Sequence, residues 1–169
     1  MEDKALLSTE EASGAEKAEL LIVIPAYNEA ENIERVVNHL TANFPQYDYV
    51  VVNDGSRDET AAICQRNGYN LLNLPVNLGL AGAFQAGLKY ADKYGYQYAV
   101  QLDGDGQHRP EYLESMIKKM EEGYDIVIGS RFVGEKKPFT MRMLGSNLIE
   151  MAIRFTTGVN IKDPTSGMR

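Results

Sequence analysis

From residue 20 onward, short runs rich in valine and isoleucine recur along the chain, each followed by a polar loop and then by a segment with helical apolar spacing. A strand covered on both faces reads as a continuous apolar run. The alternation therefore points to an α/β domain, an open and mostly parallel sheet with helices on both faces. The runs occupy 20–24, 49–52, 71–74, 98–102 and 125–128, with Pro25 stopping the first. Helices are expected over 29–44, from 58 to near Gly68, and over 79–94, 110–122 and 138–157. The last helix carries Met141, Leu144, Leu148, Met151, Ile153 and Phe155, more apolar surface than one buried stripe uses, and some of it should seek a partner.

A chain of 169 residues suits one domain with a buried core. Its formal net charge of -7 argues against a broad polyanion-binding surface, so neither nucleic acid nor an anionic lipid leaflet is an expected partner. Cys64 is the single cysteine, which excludes an intramolecular disulfide and fits a reducing cytosol. No stretch approaches the ~20 apolar residues that cross a bilayer, and the N-terminus lacks the plan of a signal peptide. Residues 1–19 carry six acids against two lysines with few apolar positions, and read as a mobile acidic tail ahead of a domain over 20–169.

The polar motifs all follow strand ends, where open α/β sheets bind ligands. Asp103-Gly104-Asp105-Gly106-Gln107 comes directly after the run 98–102, with oxygen-bearing side chains at alternate positions. Such a set suits a hard divalent cation, Mg²⁺ or Mn²⁺, and an Asp/Gly turn is the plain alternative. Asp103, Asp105, Gln107 and Glu114 also match a calcium-loop spacing, but His108 stands where that loop needs glycine, and the motif follows a strand rather than a helix. In 53–58, Asp54 could accept from a base or ribose, while Asp58 or Ser56 could cap the next helix. In 25–29, Tyr27 could lie beside a planar base and Glu29 could hydrogen-bond. Gly79-Leu80-Ala81-Gly82 opens a helix whose backbone N–H groups could meet phosphate or sugar. It is not G-x-G-x-x-G, and no Walker lysine occurs, so dinucleotide oxidoreductases and P-loop NTPases lose their main support.

Taken together, residues 25–29, 53–58, 77–82, 103–107, 129–131 and 163–167 stand in the order found in family 2 glycosyltransferases, which the chain resembles over 20–169. The branch it resembles most includes dolichyl-phosphate mannose synthase and polyprenyl-phosphate glycosyltransferases, with Asp-x-Asp-x-Gln-His-x-Pro and Asp-x-Thr-Ser-Gly-x-Arg both present. The resemblance implies a GT-A fold, a Rossmann-like sheet with helices on both faces, and a metal-dependent inverting transferase. Its donor would be a UDP- or GDP-sugar and its acceptor a polyprenyl or dolichyl phosphate. A polysaccharide hydroxyl acceptor, or a non-catalytic nucleotide-sugar-binding module, are the alternatives.

The resemblance also implies roles for residues. Asp54 would read the nucleobase with Pro25, Ala26, Tyr27 and Glu29, and Gly82 would face the nucleotide. Asp103 would contact nucleotide or metal, with Asp105 and Gln107 as metal ligands, Asp105 counting also as catalytic, and His108 beside them or stabilising the loop. Arg131 and Arg142 would anchor the acceptor phosphate, which guanidinium forks suit, with Ser146 nearby; Arg142 could equally be a solvated helix charge. Asp163 holds the position of a catalytic carboxylate, as a base toward a hydroxyl acceptor or as an orienting group toward a phosphate. Family members continue past the 163–167 motif. The domain is accordingly expected to be cut short at its C-terminus, the missing part supplying acceptor binding, oligomer contacts or a membrane-protein partner at the cytoplasmic face of a membrane.

Overall fold

The structure, a computed structural model, describes residues 19–104, 110–129, 151, 154–156, 158 and 168. Its central feature is strand β1, Leu20–Ala26, whose seven residues are all buried. The strands β2 (Asp48–Asp54), β3 (Leu71–Leu74) and β4 (Tyr98–Gln101) complete a parallel sheet in the order β3-β2-β1-β4. Helices α1 (Ile33–Asn43), α2 (Thr60–Arg66) and α3 (Gly79–Tyr94) form the crossovers, and a short 3-10 turn, Pro110–Tyr112, leads into α4 (Leu113–Glu121).

Strand alternation sends β1 side chains into two cores. Leu20, Ile22 and Ile24, with Val51 and Val100, pack on one face against Ile33, Val37 and Leu40 of α1, Cys64 of α2 and Leu113 of α4. Leu21 and Val23, with Val50 and Val52, pack on the other against Ala83 and Ala91 of α3. A fully buried Leu, Ile or Val contributes about 1.5–3 kcal/mol, so this double-sided strand is the main stabilising element of the sheet. Gly87 brings α3 onto β1: a Cβ there would lie 2.2 Å from Val23 Cγ1.

The chain order runs outward from β1 through β2 to β3 and then returns to β1's other side as β4. That reversal creates a switch point at the carboxyl ends of β1 and β4, where the two following loops diverge and leave a crevice.

Several boundaries differ from the sequence reading. Pro25 does not end β1, which continues to Ala26 along β2; pairing with β4 has stopped at Val23↔Gln101, so the missing N–H falls where only one neighbour remains. Helix α1 begins at Ile33 rather than 29, because Asn32 and Ile33 both donate to the Glu29 carbonyl in a preceding turn. Helix α2 begins at Thr60, and Gly68, with φ of +66°, follows its end. The expected strand 125–128 is not formed: Ile126 is 73% exposed, and Gly129 N donates to the Met168 carbonyl rather than into the sheet. Such a short run becomes a strand only where a ladder partner accepts it. Of the expected helix 138–157, Met151 and residues 154–156 are helical, and the others lie outside the described residues, as do 1–18 of the acidic tail. Among the described residues no helix is long and apolar enough to cross a membrane.

Candidate functional site

At the switch point lies a cleft of about 440 Å³. Pro25 and Ala26 at the end of β1 and Tyr27 and Glu29 after it line the cleft, with Asp54 at the end of β2 and Asp103 and Gly104 after β4, while Asn77 before α3 and Gly79, Leu80 and Ala83 in its first turns close it. A second hollow, of about 320 Å³, runs beside β4 between Leu20, Tyr98, Met116, Ile117 and Ile126; its lining residues are apolar apart from Asp125 and the hydroxyl of Tyr98, so it has little with which to orient a polar ligand.

Backbone conformation shapes the first wall. Asn28 has φ of 57°, a left-handed conformation that asparagine tolerates better than most residues. It is held there from both sides, since its N–H donates to Ser56 Oγ at 3.0 Å and its Oδ1 accepts from Arg57 N at 2.9 Å. The next two amides also cross to the second loop: Glu29 N donates to Thr60 Oγ1 at 2.9 Å and Ala30 N to Asp58 Oδ2 at 3.1 Å. This clamp leaves Tyr27, 45% exposed, on the cleft rim, and Glu29 Oε2 accepts from Asn32 Nδ2 at 2.9 Å.

Burial pushes the Asp58 carboxyl up, but hydrogen bonds from the Thr60 hydroxyl, Thr60 N and Ala30 N outweigh it and hold the group below its ordinary 3.8. Asp58 therefore does more than cap. It accepts from Thr60 N at the entry to α2 and also fastens the loop after β1.

Asp54 is 2% exposed, and its Oδ1 accepts from Leu78 N at 2.7 Å, which supplies the partner a buried carboxylate requires. Gly55, with φ of +66°, lets the same loop lie on the chain before α3; a Cβ there would be 2.7 Å from Val76 C and Asn77 N. Asn53 closes the loop's base, donating to Asn73 Oδ1 at 2.6 Å and accepting from Ser56 N at 3.3 Å.

On the opposite wall Asp103 Oδ1 accepts from Gln101 Nε2 at 2.8 Å, and Gln101 is fully buried. Gly104 passes close over the end of β1: a Cβ there would be 3.2 Å from the Pro25 carbonyl oxygen and 3.5 Å from Glu29 Cγ.

Among the described lining residues there are three carboxylates, Glu29, Asp54 and Asp103, and no lysine or arginine. Such a cleft favours ligand hydrogen-bond donors, and it would repel a bare diphosphate unless a cation came with it. Hard oxygen donors fit Mg²⁺ or Mn²⁺. The described residues hold no group of three or more His, Cys, Asp or Glu ready for a metal; Asp103 is the carboxylate they contribute from the expected ligand set.

The sequence-derived residues Pro25, Ala26, Tyr27, Glu29, Asp54 and Asp103 are thus brought around one cleft. Gly82 is not on it; a Cβ there would meet Leu78 Cβ at 2.5 Å, so this glycine makes room for Leu78. One amide of the expected phosphate-binding stretch 79–82 is already used, Gly79 N by Asn77 Oδ1 at 3.1 Å, and Leu78 N just before it is taken by Asp54. Asp105, Gln107, His108, Arg131, Arg142, Ser146 and Asp163 lie outside the described residues. Sequence reasoning overlooked Asn28 and Thr60 as loop fasteners and Gln101 beneath Asp103; the signal for Gln101 was an amide in an otherwise apolar strand.

Comparison with known proteins gives a consistent set of relatives. The family model described as "Glycosyl transferase family 2" matches residues 21–169. Polyprenol monophosphomannose synthase of Mycolicibacterium smegmatis is 34% identical over 158 residues, covering 88% of this chain and 60% of that protein. Undecaprenyl-phosphate mannosyltransferase of Micrococcus luteus is 32% identical over 158 residues, covering 89% and 65%. Among solved structures, glucosyl-3-phosphoglycerate synthase from Mycobacterium tuberculosis in complex with uridine-diphosphate superimposes with a TM-score of 0.65 at 21% identity, over 88% of this chain and 55% of that one. The chain spans about 60–65% of the length of these curated relatives.

Proposed function

Since the chain belongs to glycosyl transferase family 2 and has the GT-A fold, we propose that it transfers a hexose, with inversion, from a UDP- or GDP-sugar to a polyprenyl or dolichyl phosphate. The observation that carries the donor half is the grouping of Tyr27, Asp54 and Asp103 around one cleft at the switch point. An exposed ring beside a buried acceptor suits a nucleobase, which offers a flat face and N–H donors. The names of the relatives, polyprenol monophosphomannose synthase and undecaprenyl-phosphate mannosyltransferase, support the acceptor class.

In this reading Pro25, Ala26, Tyr27 and Glu29 form the base and ribose wall, and the Asp54 carboxylate accepts from the base. Asp103, with Asp105 and Gln107, would hold Mg²⁺ or Mn²⁺. A bound divalent ion would neutralise the diphosphate and make the nucleotide a better leaving group. An acceptor phosphate oxygen attacks the anomeric carbon from the side opposite the nucleotide, forming the new C–O bond as the bond to the β-phosphate breaks and the nucleoside diphosphate takes the electron pair. A phosphate acceptor is already ionised near neutral pH, so no base need remove a proton; Asp163 then orients acceptor or sugar. Arg131 and Arg142 neutralise the acceptor phosphate, with Ser146 hydrogen-bonding beside them. The reaction takes place at the cytoplasmic face of a membrane, where a lipid-phosphate head group is within reach.

Titration of the chain by calorimetry with UDP-glucose, UDP-GlcNAc, GDP-mannose, UDP and GDP, with and without Mn²⁺, tests the donor half. Binding strengthened by Mn²⁺ and confined to one base class is expected. Absence of binding to all five would sink the reading. Transfer of labelled sugar to a polyprenyl phosphate by the chain then tests the acceptor half.

A further inference from the structure

Gln101 occupies an unusual place for an amide. It is the last residue of β4, lies in register with the buried Val23 of β1, and has no solvent exposure. Val100 and Leu102 belong to the core shared by α1, α2 and α4, so strand alternation puts Gln101 and Asp103 together on the α3 side of the sheet. There Gln101 Nε2 donates to Asp103 Oδ1 at 2.8 Å, while Gln101 Oε1, equally buried, has no hydrogen-bond partner. A buried carbonyl left unpaired lowers stability, and an apolar side chain of similar volume would avoid that loss. What the amide supplies and a methionine could not is an N–H aimed at Asp103.

We propose that Gln101 is a positioning residue for the donor site: its amide fixes the Asp103 carboxylate in one orientation toward the cleft, at the expense of fold stability. The inference rests on the proposed role of Asp103 toward the metal and diphosphate of the donor. A carboxylate fixed before the ligand arrives loses less rotamer entropy on binding than one that must be ordered then. The role concerns the cation-assisted part of binding and leaves base recognition at Tyr27 and Asp54 untouched.

The test is Gln101→Met in the chain as described, with UDP and GDP as probes. Dissociation constants are measured with Mn²⁺ and with chelator, together with the thermal midpoint. The expected result has three parts: a midpoint equal to or above that of the parent, unchanged metal-free affinity, and about a tenfold loss of the Mn²⁺-dependent gain in affinity. In the background of Asp103→Asn, adding Gln101→Met should then have no further effect, since the amide acts through the carboxylate it holds. Full retention of the Mn²⁺-dependent gain in Gln101→Met overturns the proposal. So does a parallel fall of the midpoint and of both affinities, which would make Gln101 a packing residue. Gln101→Leu is the second variant, and failure of both to fold contradicts the expectation of retained stability. If the parent chain itself shows no Mn²⁺-dependent nucleotide binding, the donor-site reading falls first and the role of Gln101 falls with it.

Discussion

The two walls of the cleft are held in different ways. The wall after β1 and β2 is fastened loop to loop, by Asn28 N to Ser56, Arg57 N to Asn28, Glu29 N to Thr60 and Ala30 N to Asp58. Asp103 on the other wall accepts from a side chain two residues earlier, at the end of β4. Each bond of the first kind adds about 0.5–1.5 kcal/mol net, but all of them join the same two segments, so disturbing one displaces groups that depend on the rest. The wall after β1 and β2 thus behaves as a single preformed body, and variants that cut its fastening should move stability and nucleotide affinity together. Gln101 bonds to Asp103 and takes no part in the loop-to-loop bonds, which is why Gln101→Met should separate the two quantities.

The strongest way to break this contrast is Gly55→Ala. Its φ of +66° and a Cβ 2.7 Å from the backbone of Val76 and Asn77 both oppose a side chain. Left-handed strain of about 1–2 kcal/mol and overpacking of about 1–3 kcal/mol together predict a loss of roughly 2–5 kcal/mol, measured by urea unfolding, with nucleotide affinity falling in parallel. A change below ~1 kcal/mol would mean that the loop after β2 is not packed tightly on the chain before α3.

Asp54→Ala comes next. It leaves Leu78 N without its acceptor and should cost about 1–3 kcal/mol, with at least ~10-fold weaker nucleotide binding. Asp54→Asn keeps an oxygen for Leu78 N and should recover most of the stability without restoring affinity. Recovery of both would assign Asp54 to holding α3 alone.

Much of this frame was legible from residues. The buried runs announced β1 to β4, and α3 was read to its bounds, because long apolar periodicity and a following Gly95 in the left-handed conformation leave few alternatives. The loops after β1, β2 and β4 could be singled out because polar clusters at strand ends are local patterns. What joins them is not local. Asn28 and Ser56 lie 28 residues apart, and no spacing rule links an asparagine in one loop to a hydroxyl in another. Asp58 or Ser56 could be read as a cap from a place just before the helix, whereas the bond from Ala30 N to Asp58 exists only once β1 and β2 lie side by side. Gly82 was read toward the ligand from its motif; it is not among the residues lining the cleft, and a Cβ there would meet Leu78, one helical turn earlier. The run 125–128 shows the converse: its composition asks for a strand, and pairing, a tertiary property, decides otherwise.

A finer separation comes from Asn28. Gly at this position keeps the left-handed backbone but gives up the acceptor for Arg57 N; Ala gives up the acceptor and also carries left-handed strain. Asn28→Gly should therefore cost about 1 kcal/mol and Asn28→Ala about 1 kcal/mol more by urea unfolding. Equal costs for the two variants would show that the backbone at residue 28 relaxes when the clamp is cut.

The smallest effect is expected from acid, and its sign tests the same clamp. Burial raises the Asp58 carboxyl, the bonds from Thr60 and Ala30 lower it further, and the folded value ends below the ordinary 3.8. A group depressed by folding contributes stability that is complete above its unfolded value and fades as pH falls through its folded value. Between pH 7 and 5 this contribution should be constant, and it should disappear only below about pH 4. Asp58 is exposed and solvent screens its interactions, so the shift in thermal midpoint should be about 1–2 °C. Asp58→Asn should lose that increment already at pH 7 and show a correspondingly shallower acid limb. An Asp58→Asn midpoint equal to the parent's at pH 7, with an identical acid limb, would remove Asp58 from the clamp. The loops would then be held by Asn28, Ser56 and Thr60, groups that do not titrate, and acid should leave the wall after β1 and β2 as it is.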